Sequence, residues 1–179
     1  TMSHPARADD FSEGVALYEQ RNFPAAAAAF KKAADQGYAK AQCAVAHAYR
    51  KGQGVEHSYE KALEYYQMAA MQNLPEAQYC IGCYFKDGLG GLEKSHEKSL
   101  DYFKLAADQN YAAAQYMLAK HYTHAFHATQ VYFYFKSAAE KGDKRAIFEL
   151  GKCYQLGIGV EQNLFKGQEY YLRAEQLGY

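Results

Sequence analysis

The sequence predicts an all-α solenoid of about ten helices, built as five helix-turn-helix units. Three observations carry that expectation. A block of eight residues recurs five times, its small and aromatic positions fall at helical spacing, and alanine is paired in bulk with flat rings. The 179 residues include 31 alanines, 18 tyrosines and 10 phenylalanines, but no tryptophan. Alanine lets helix axes approach closely, and rings fill the gaps that remain.

The recurring block reads FKKAADQG over 30–37, YQMAAMQN over 66–73, FKLAADQN over 103–110, FKSAAEKG over 135–142 and YLRAEQLG over 171–178. Its end points are spaced by 36, 37, 32 and 36 residues, a period that marks a repeat architecture. A second landmark precedes four of the five. It comprises Ala41, Val45, Ala46 and Tyr49; Ala77, Ile81, Gly82 and Phe85; Ala114, Leu118, Ala119 and Tyr122; and Ala146, Leu150, Gly151 and Tyr154. Steps of four and three put each set on one helical face.

Taken in order, the first unit spans about 8–37, followed by 38–73, 74–110, 111–142 and 143–179, together a single solenoid over 1–179. Each holds a first helix, a turn and a second helix that ends in Gly or Asn, the residues suited to a left-handed terminus. Neither helix can bury its stripe alone, so stacked units share a continuous core. The pairs Tyr65-Tyr66, Tyr102-Phe103, Tyr134-Phe135 and Tyr170-Tyr171 are candidate fillers of that core. Gly52-x-Gly54, Gly88-x-Gly90-Gly91 and Gly157-x-Gly159 punctuate three units; the extra glycine explains the step of 37. The unit ending at Gly142 lacks this loop, which shortens its step.

These residues resemble the Sel1-like repeat family, whose pattern runs Ala-x-Ala-Gln-x2-Leu-Gly-x2-Tyr, a Gly-x-Gly-Val loop, then Lys-Ala-x2-Tyr-Tyr-x2-Ala-Ala. Lys61-Ala62, Lys98-Ser99 and Lys166-Gly167 open the second helices in that pattern. The first unit, with Gly14, Leu17, Phe23, Ala26, Phe30 and Ala33, is similar to the related tetratricopeptide repeat; the unit at 111–142 resembles a hybrid. The resemblance implies a right-handed α/α superhelix whose first helices line a concave groove. It also implies a non-catalytic scaffold or adaptor that binds a protein or peptide there.

Composition excludes several other classes. Twenty basic and twenty acidic side chains cancel, so no global field draws the chain to nucleic acid or to an anionic membrane. The longest apolar run, Ala25 to Phe30, is far below the roughly 20 residues of a membrane span. The first residues are polar with no apolar core behind them, so no signal peptide is read and a cytoplasmic location is expected. Four cysteines are too few for a disulfide scaffold.

Aligning the first helices of the four later units places Cys43, Tyr79, Tyr116 and Phe148 in one inward column. His47, Cys83, Lys120 and Lys152 form the next, followed by Arg50, Lys86, Thr123 and Gln155. The partner-binding expectation therefore rests on Cys43, His47, Arg50, Tyr79, Cys83, Lys86, Tyr116, Lys120, Phe148 and Lys152. Aromatic anchors with one basic side chain per unit (Arg50, Lys86, Lys120, Lys152) suit a peptide carrying acidic residues. The competing account is that the tyrosines only support packing between units and the lysines are solvated.

Other motifs are weaker. The Gly-x-Gly turns follow helices, not strands, and read as structural turns, not phosphate cradles. Cys80-x2-Cys83 has redox spacing, but it falls mid-helix with no sheet nearby, so free thiols are expected. His121-x2-His124-x2-His127 is the best metal candidate, yet no local carboxylate or cysteine completes a four-ligand set. No nucleophile–base arrangement stands out, so no catalytic residue, cofactor or metal is assigned. The alternatives are a small-molecule, metal-binding or enzymatic repeat protein, or an assembly subunit that pairs through its uncapped last helix. A monomer is the favoured state.

Overall fold

The computed structural model of the chain describes residues 4–124 and 127–179, with side chains from residue 8 onward other than that of residue 124. Among the described residues there are ten α-helices and no strand. They are α1 (His4–Glu19), α2 (Phe23–Asp35), α3 (Ala39–Lys51), α4 (Tyr59–Met71) and α5 (Pro75–Asp87), then α6 (His96–Asp108), α7 (Ala112–His124), α8 (Ala128–Glu140), α9 (Lys144–Leu156) and α10 (Leu164–Gln176). Contacts divide them into two compact units, Thr1–Tyr102 and Phe103–Tyr179, with the boundary inside α6.

Short-range chemistry starts and stops these helices. Asn22, Ser58, Ser95 and Asn163 each precede a second helix of a repeat. Their side-chain oxygens accept from the backbone N–H groups of Ala25, Lys61, Lys98 and Lys166, three residues on. In the shortened repeat His127 holds this position and makes no side-chain cap. At the other ends, Gly37, Asn73, Asn110, Gly142 and Gly178 all have positive φ, between 63° and 86°, as the recurring block predicts.

The first helices of three later repeats, α3, α5 and α7, are tied back to the end of the preceding repeat. Gln42 and Gln115 are buried, and each donates to a carbonyl near the end of the preceding second helix, Ala34 and Ala107. Buried Gln78 donates instead to Asn73 Oδ1. The Ala34 and Ala107 carbonyls also accept from the turn N–H groups of Gly37 and Asn110, so each glutamine amide occupies the carbonyl's remaining acceptor capacity. In α9 the same position is Ile147, fully buried, with no polar group to satisfy.

Both compact units bury small residues against rings. In the first unit one cluster joins Ala26, Phe30, Ala33, Ala41 and Val45, and another joins Cys43, Ala62, Tyr66, Ala77, Ile81 and Tyr84. In the second unit the cluster is built on Val131, Phe135, Ala138, Ile147, Leu150 and Tyr154. The aromatic pairs of the sequence split their duties. The first ring of each stacks on the aromatic of its own first helix: Tyr49–Tyr65, Phe85–Tyr102, Tyr122–Tyr134 and Tyr154–Tyr170, with centroids 5.9, 5.7, 5.6 and 5.5 Å apart. Of the second rings, Tyr66, Phe103 and Phe135 are buried.

The lysines that open the second helices have a packing role that spacing alone does not reveal. Lys61, Lys98 and Lys166 each place their ammonium 5.1–5.5 Å from the centroid of the first-helix ring, Tyr49, Phe85 and Tyr154. That is cation–π range. The equivalent residue of the shortened repeat is Gln130, which carries no charge.

One glycine shows why the Gly-x-Gly loops recur. Gly54 has φ 77°, and a Cβ there would run into the Phe23 carbonyl and the Pro24 nitrogen at the start of α2. Only glycine allows a loop backbone to lie that close to the first turn of the preceding second helix.

Candidate functional site

The residues singled out from sequence divide between the compact units. Cys43, His47, Arg50, Tyr79, Cys83 and Lys86 belong to the first, and Tyr116, Lys120, Phe148 and Lys152 to the second. Their environments differ in ways that decide what each can do.

In the second unit the basic side chains are already paired. Lys120 and Lys152 both point to one carboxylate, Glu149, at 3.6 and 3.2 Å. Lys152 also lies 4.9 Å from the Phe148 ring centroid, while Phe148 packs on Tyr171 and Tyr179. Tyr116 carries the Arg145 guanidinium over its face at 4.4 Å, and Arg145 is bonded to Asp143. Glu149 is the residue the column alignment missed. It lies three residues before Lys152 in α9, so its reach to that lysine was legible, but its bond to Lys120 in α7 was not. In the first unit, Lys86 stands 3.8 Å from Asp87.

Cys43, His47 and Arg50, in contrast, come together around a cavity of about 560 Å³ within the first unit. The apolar part of its wall comes from Phe11, Val15, Phe23, Ala26, Ala27 and Phe30 on α1 and α2, with Ala44 of α3. Lys40, Arg50 and Lys51 rim it from α3, and Glu76 closes it from the first turn of α5. None of those three cations has an ion-pair partner among the described residues. The α1 contribution was missed because only the four later repeats were aligned. Phe11, Val15 and Tyr18, at steps of four and three, were the available signal. Tyr79, Cys83 and Lys86 are not among the residues lining this cavity.

Inside the cavity wall sits a polar cluster. His47 Nε2 is 2.9 Å from Glu76 Oε1, and the Tyr66 hydroxyl is 2.8 Å from His47 Nδ1. With the ring proton on Nε2, His47 donates to Glu76 and accepts from Tyr66. Cys43 Sγ lies 3.6 Å from the same Nε2. The hydrogen bond from His47 holds the Glu76 carboxyl below the usual carboxylate range despite its partial burial. Burial drives the Cys43 thiol well above its ordinary value, helped by the nearby Glu76 charge. The thiol is therefore protonated, and its neighbouring nitrogen is committed to Glu76, which is not the arrangement of an activated nucleophile.

The other sequence candidates fall elsewhere. All four cysteines are free thiols, and burial pushes Cys80 up to about 12 and Cys83 upward. Of the histidine triplet, His121 and His127 contact the Tyr122 ring at 5.4 and 5.7 Å between centroids, and the side chain of His124 lies outside the described residues. On α10, Leu164, Phe165 and Leu172 are exposed. Among the described residues, no helix is long and apolar enough to cross a membrane.

Repeated helix pairs with aromatic stacks inside each pair define a helical-repeat protein. The Sel1 repeat family model matches residues 13–38, 39–74, 75–111, 112–126, 132–143 and 144–179, and the chain belongs to that family. Sel1 repeat proteins are generally protein–protein interaction scaffolds. A Sel1 repeat protein from Oxalobacter formigenes is similar, with 30% identity over 88% of this chain and a TM-score of 0.81. A protective antigen of uropathogenic Escherichia coli with an SLR fold shares 20% identity over 97% of the chain, with a TM-score of 0.83, a likeness of fold. DAP3-binding cell death enhancer 1 of Rattus norvegicus is 40% identical over 45 residues, 25% of this chain. The chain spans 46% of the Oxalobacter protein, 38% of the Escherichia coli antigen and 9% of the rat protein.

Proposed function

We propose that the chain is a non-catalytic interaction scaffold that grips an acidic peptide segment of a protein partner in the cavity of its first unit. The observation that carries this reading is the pairing of an apolar wall with three rim cations that have no ion-pair partner among the described residues. A cavity of this size falls in the range that holds a few side chains of a bound segment. Apolar anchors supply affinity, and rim charges supply orientation and encounter rate. The wall is preformed by helix packing, so little ordering cost falls on the receptor. The columns at Tyr116, Lys120, Phe148 and Lys152 take a lesser part in this reading, because Glu149 neutralises their cations.

The test is affinity capture from the source lysate with three chains: wild type, a first-unit variant (Val15→Asp, Arg50→Glu, Lys51→Glu) and a second-unit variant (Tyr116→Ala, Lys120→Glu). Circular dichroism first establishes that all three are equally helical. A partner retained by the wild type and the second-unit variant, and lost by the first-unit variant, is the expected outcome. Equal retention by all three overturns the assignment.

A second reading is supported by the exposed apolar residues of α10, which would cover a second chain in an assembly. Sedimentation across a wide concentration range, comparing wild type with Phe165→Asp, checks it. A monomer throughout removes this reading.

A further inference from the structure

We propose that Cys43, His47 and Glu76 form a Zn²⁺ site whose fourth coordination position opens into the first-unit cavity. The inference goes beyond the scaffold reading and stands on different atoms. It also departs from the sequence, which pointed to His121, His124 and His127.

The geometry begins with α3. Cys43 and His47 are four residues apart and so share one face of that helix. Glu76 reaches the same point from the first turn of α5, across the helix pair. Their three donor atoms lie within 4.8 Å of one another. A tetrahedral ion with Zn–S about 2.3 Å and Zn–N about 2.0 Å holds its sulfur and nitrogen about 3.5 Å apart. Cys43 Sγ and His47 Nε2 already stand at 3.6 Å. The corresponding nitrogen–oxygen edge is about 3.3 Å. His47 and Glu76 are at 2.9 Å, so the partly exposed glutamate has to swing outward by a few tenths of an ångström.

The donor set selects the ion. One thiolate, one imidazole and one carboxylate make a borderline-soft site that suits Zn²⁺ and disfavours Mg²⁺ or Ca²⁺. Three protein ligands with an open position are the pattern of a zinc that keeps an exchangeable ligand. All three ligands line the cavity, so that position faces its interior.

The protons also balance. Coordination removes the Cys43 thiol proton to solvent, as a bound cation does to a ligating thiol. It requires the Nε2 lone pair of His47, so the ring proton moves to Nδ1. There the Tyr66 hydroxyl, 2.8 Å away, changes from donor to acceptor without loss of the hydrogen bond. A hydroxyl can serve in either role, and this makes Tyr66 an outer partner that orients the ligating ring. Burial of the thiol opposes ionisation, and the charge of the ion itself has to overcome that cost.

The test uses the full, metal-free chain with Zn²⁺ and Co²⁺ alone. Zn²⁺ affinity is read by competition with a chromophoric chelator, and Co²⁺ reports thiolate ligation by its charge-transfer band. One equivalent of Zn²⁺ is expected, tighter than micromolar, with a Co²⁺–thiolate band. Cys43→Ser should abolish that band, and Cys80→Ser and Cys83→Ser should leave it intact. Tyr66→Phe should weaken Zn²⁺ about 10–100-fold, as loss of an outer hydrogen-bond partner does. Glu76→Gln, at a partly exposed helix start, supplies a ligand deletion that does not disturb the core, and it should weaken Zn²⁺ by more than Tyr66→Phe. Absence of binding tighter than micromolar in the wild type overturns the proposal. So does a thiolate band lost with Cys80 or Cys83 instead of Cys43, or an affinity unmoved by Glu76→Gln.

Discussion

At the scale of single residues, Asp10 links the first two helices through its carboxylate. Lys32 donates to one oxygen at 2.7 Å and Gln36 to the other at 2.9 Å. The Lys32 bond holds Asp10 below its ordinary 3.8, and the same bond raises Lys32 above its ordinary 10.5. A depressed carboxyl contributes stability that is complete above its unfolded value and is lost as pH falls through its folded value. Thermal unfolding followed from neutral pH to strong acid should therefore show an acid-side loss below about pH 4 that is smaller in Asp10→Asn. An identical acid limb in both chains would remove Asp10 from that account. Gly54 makes a second prediction. Gly54→Ala should cost at least about 2 kcal/mol, from the positive φ together with the collision at α2. Gly91, also at positive φ, has nothing within 4 Å of an added Cβ. Gly91→Ala should cost only about 1 kcal/mol of backbone strain, and denaturant unfolding of the two variants separates close approach from φ alone.

At the scale of the helix pair, the repeating device is a stacked pair of rings with a lysine over the first of them. The shortened repeat keeps the stack, Tyr122 on Tyr134 at an interplanar angle of 3°, but has Gln130 where three other repeats have Lys61, Lys98 and Lys166. Gln130→Lys should restore the cation and raise stability by about 0.5–1 kcal/mol, measured by chemical denaturation. No gain would mean that the shortened loop has moved the second helix out of register with Tyr122. That comparison also shows how legible the elements were. The recurring lysine was visible by spacing as part of the second helix, yet its partner ring belongs to the first helix.

At the scale of the whole molecule, net charge is zero, so partner choice cannot come from a global field. In the proposed reading it comes from local charge imbalance at the first-unit cavity, Lys40, Arg50 and Lys51 against Glu76. Binding of the captured partner should therefore weaken several-fold as salt rises from low to physiological, with most of the change in association rate. The Arg50→Glu, Lys51→Glu pair should flatten that dependence, as stopped-flow association at several ionic strengths would show. An unchanged salt slope would place recognition outside the cavity rim.

The fold was readable from the sequence because each part of it is specified over short range. Caps act over three residues, stripes over four, and stacks within one repeat of about 36, so the periodicity itself carries the architecture. The candidate site, itself a proposal, was only half readable. Cys43, His47 and Arg50 were placed by their column, but the column method treats all repeats alike, and the side chains that distinguish them come from neighbouring helices. Glu76 lies 29 residues from His47 and Glu149 lies 29 residues from Lys120, and neither distance matches the repeat period. Which carboxylate meets which base depends on the packing angle between helices. Only the tertiary structure decides that two lysines of the second unit are neutralised while a cysteine, a histidine and a glutamate of the first converge on one cavity.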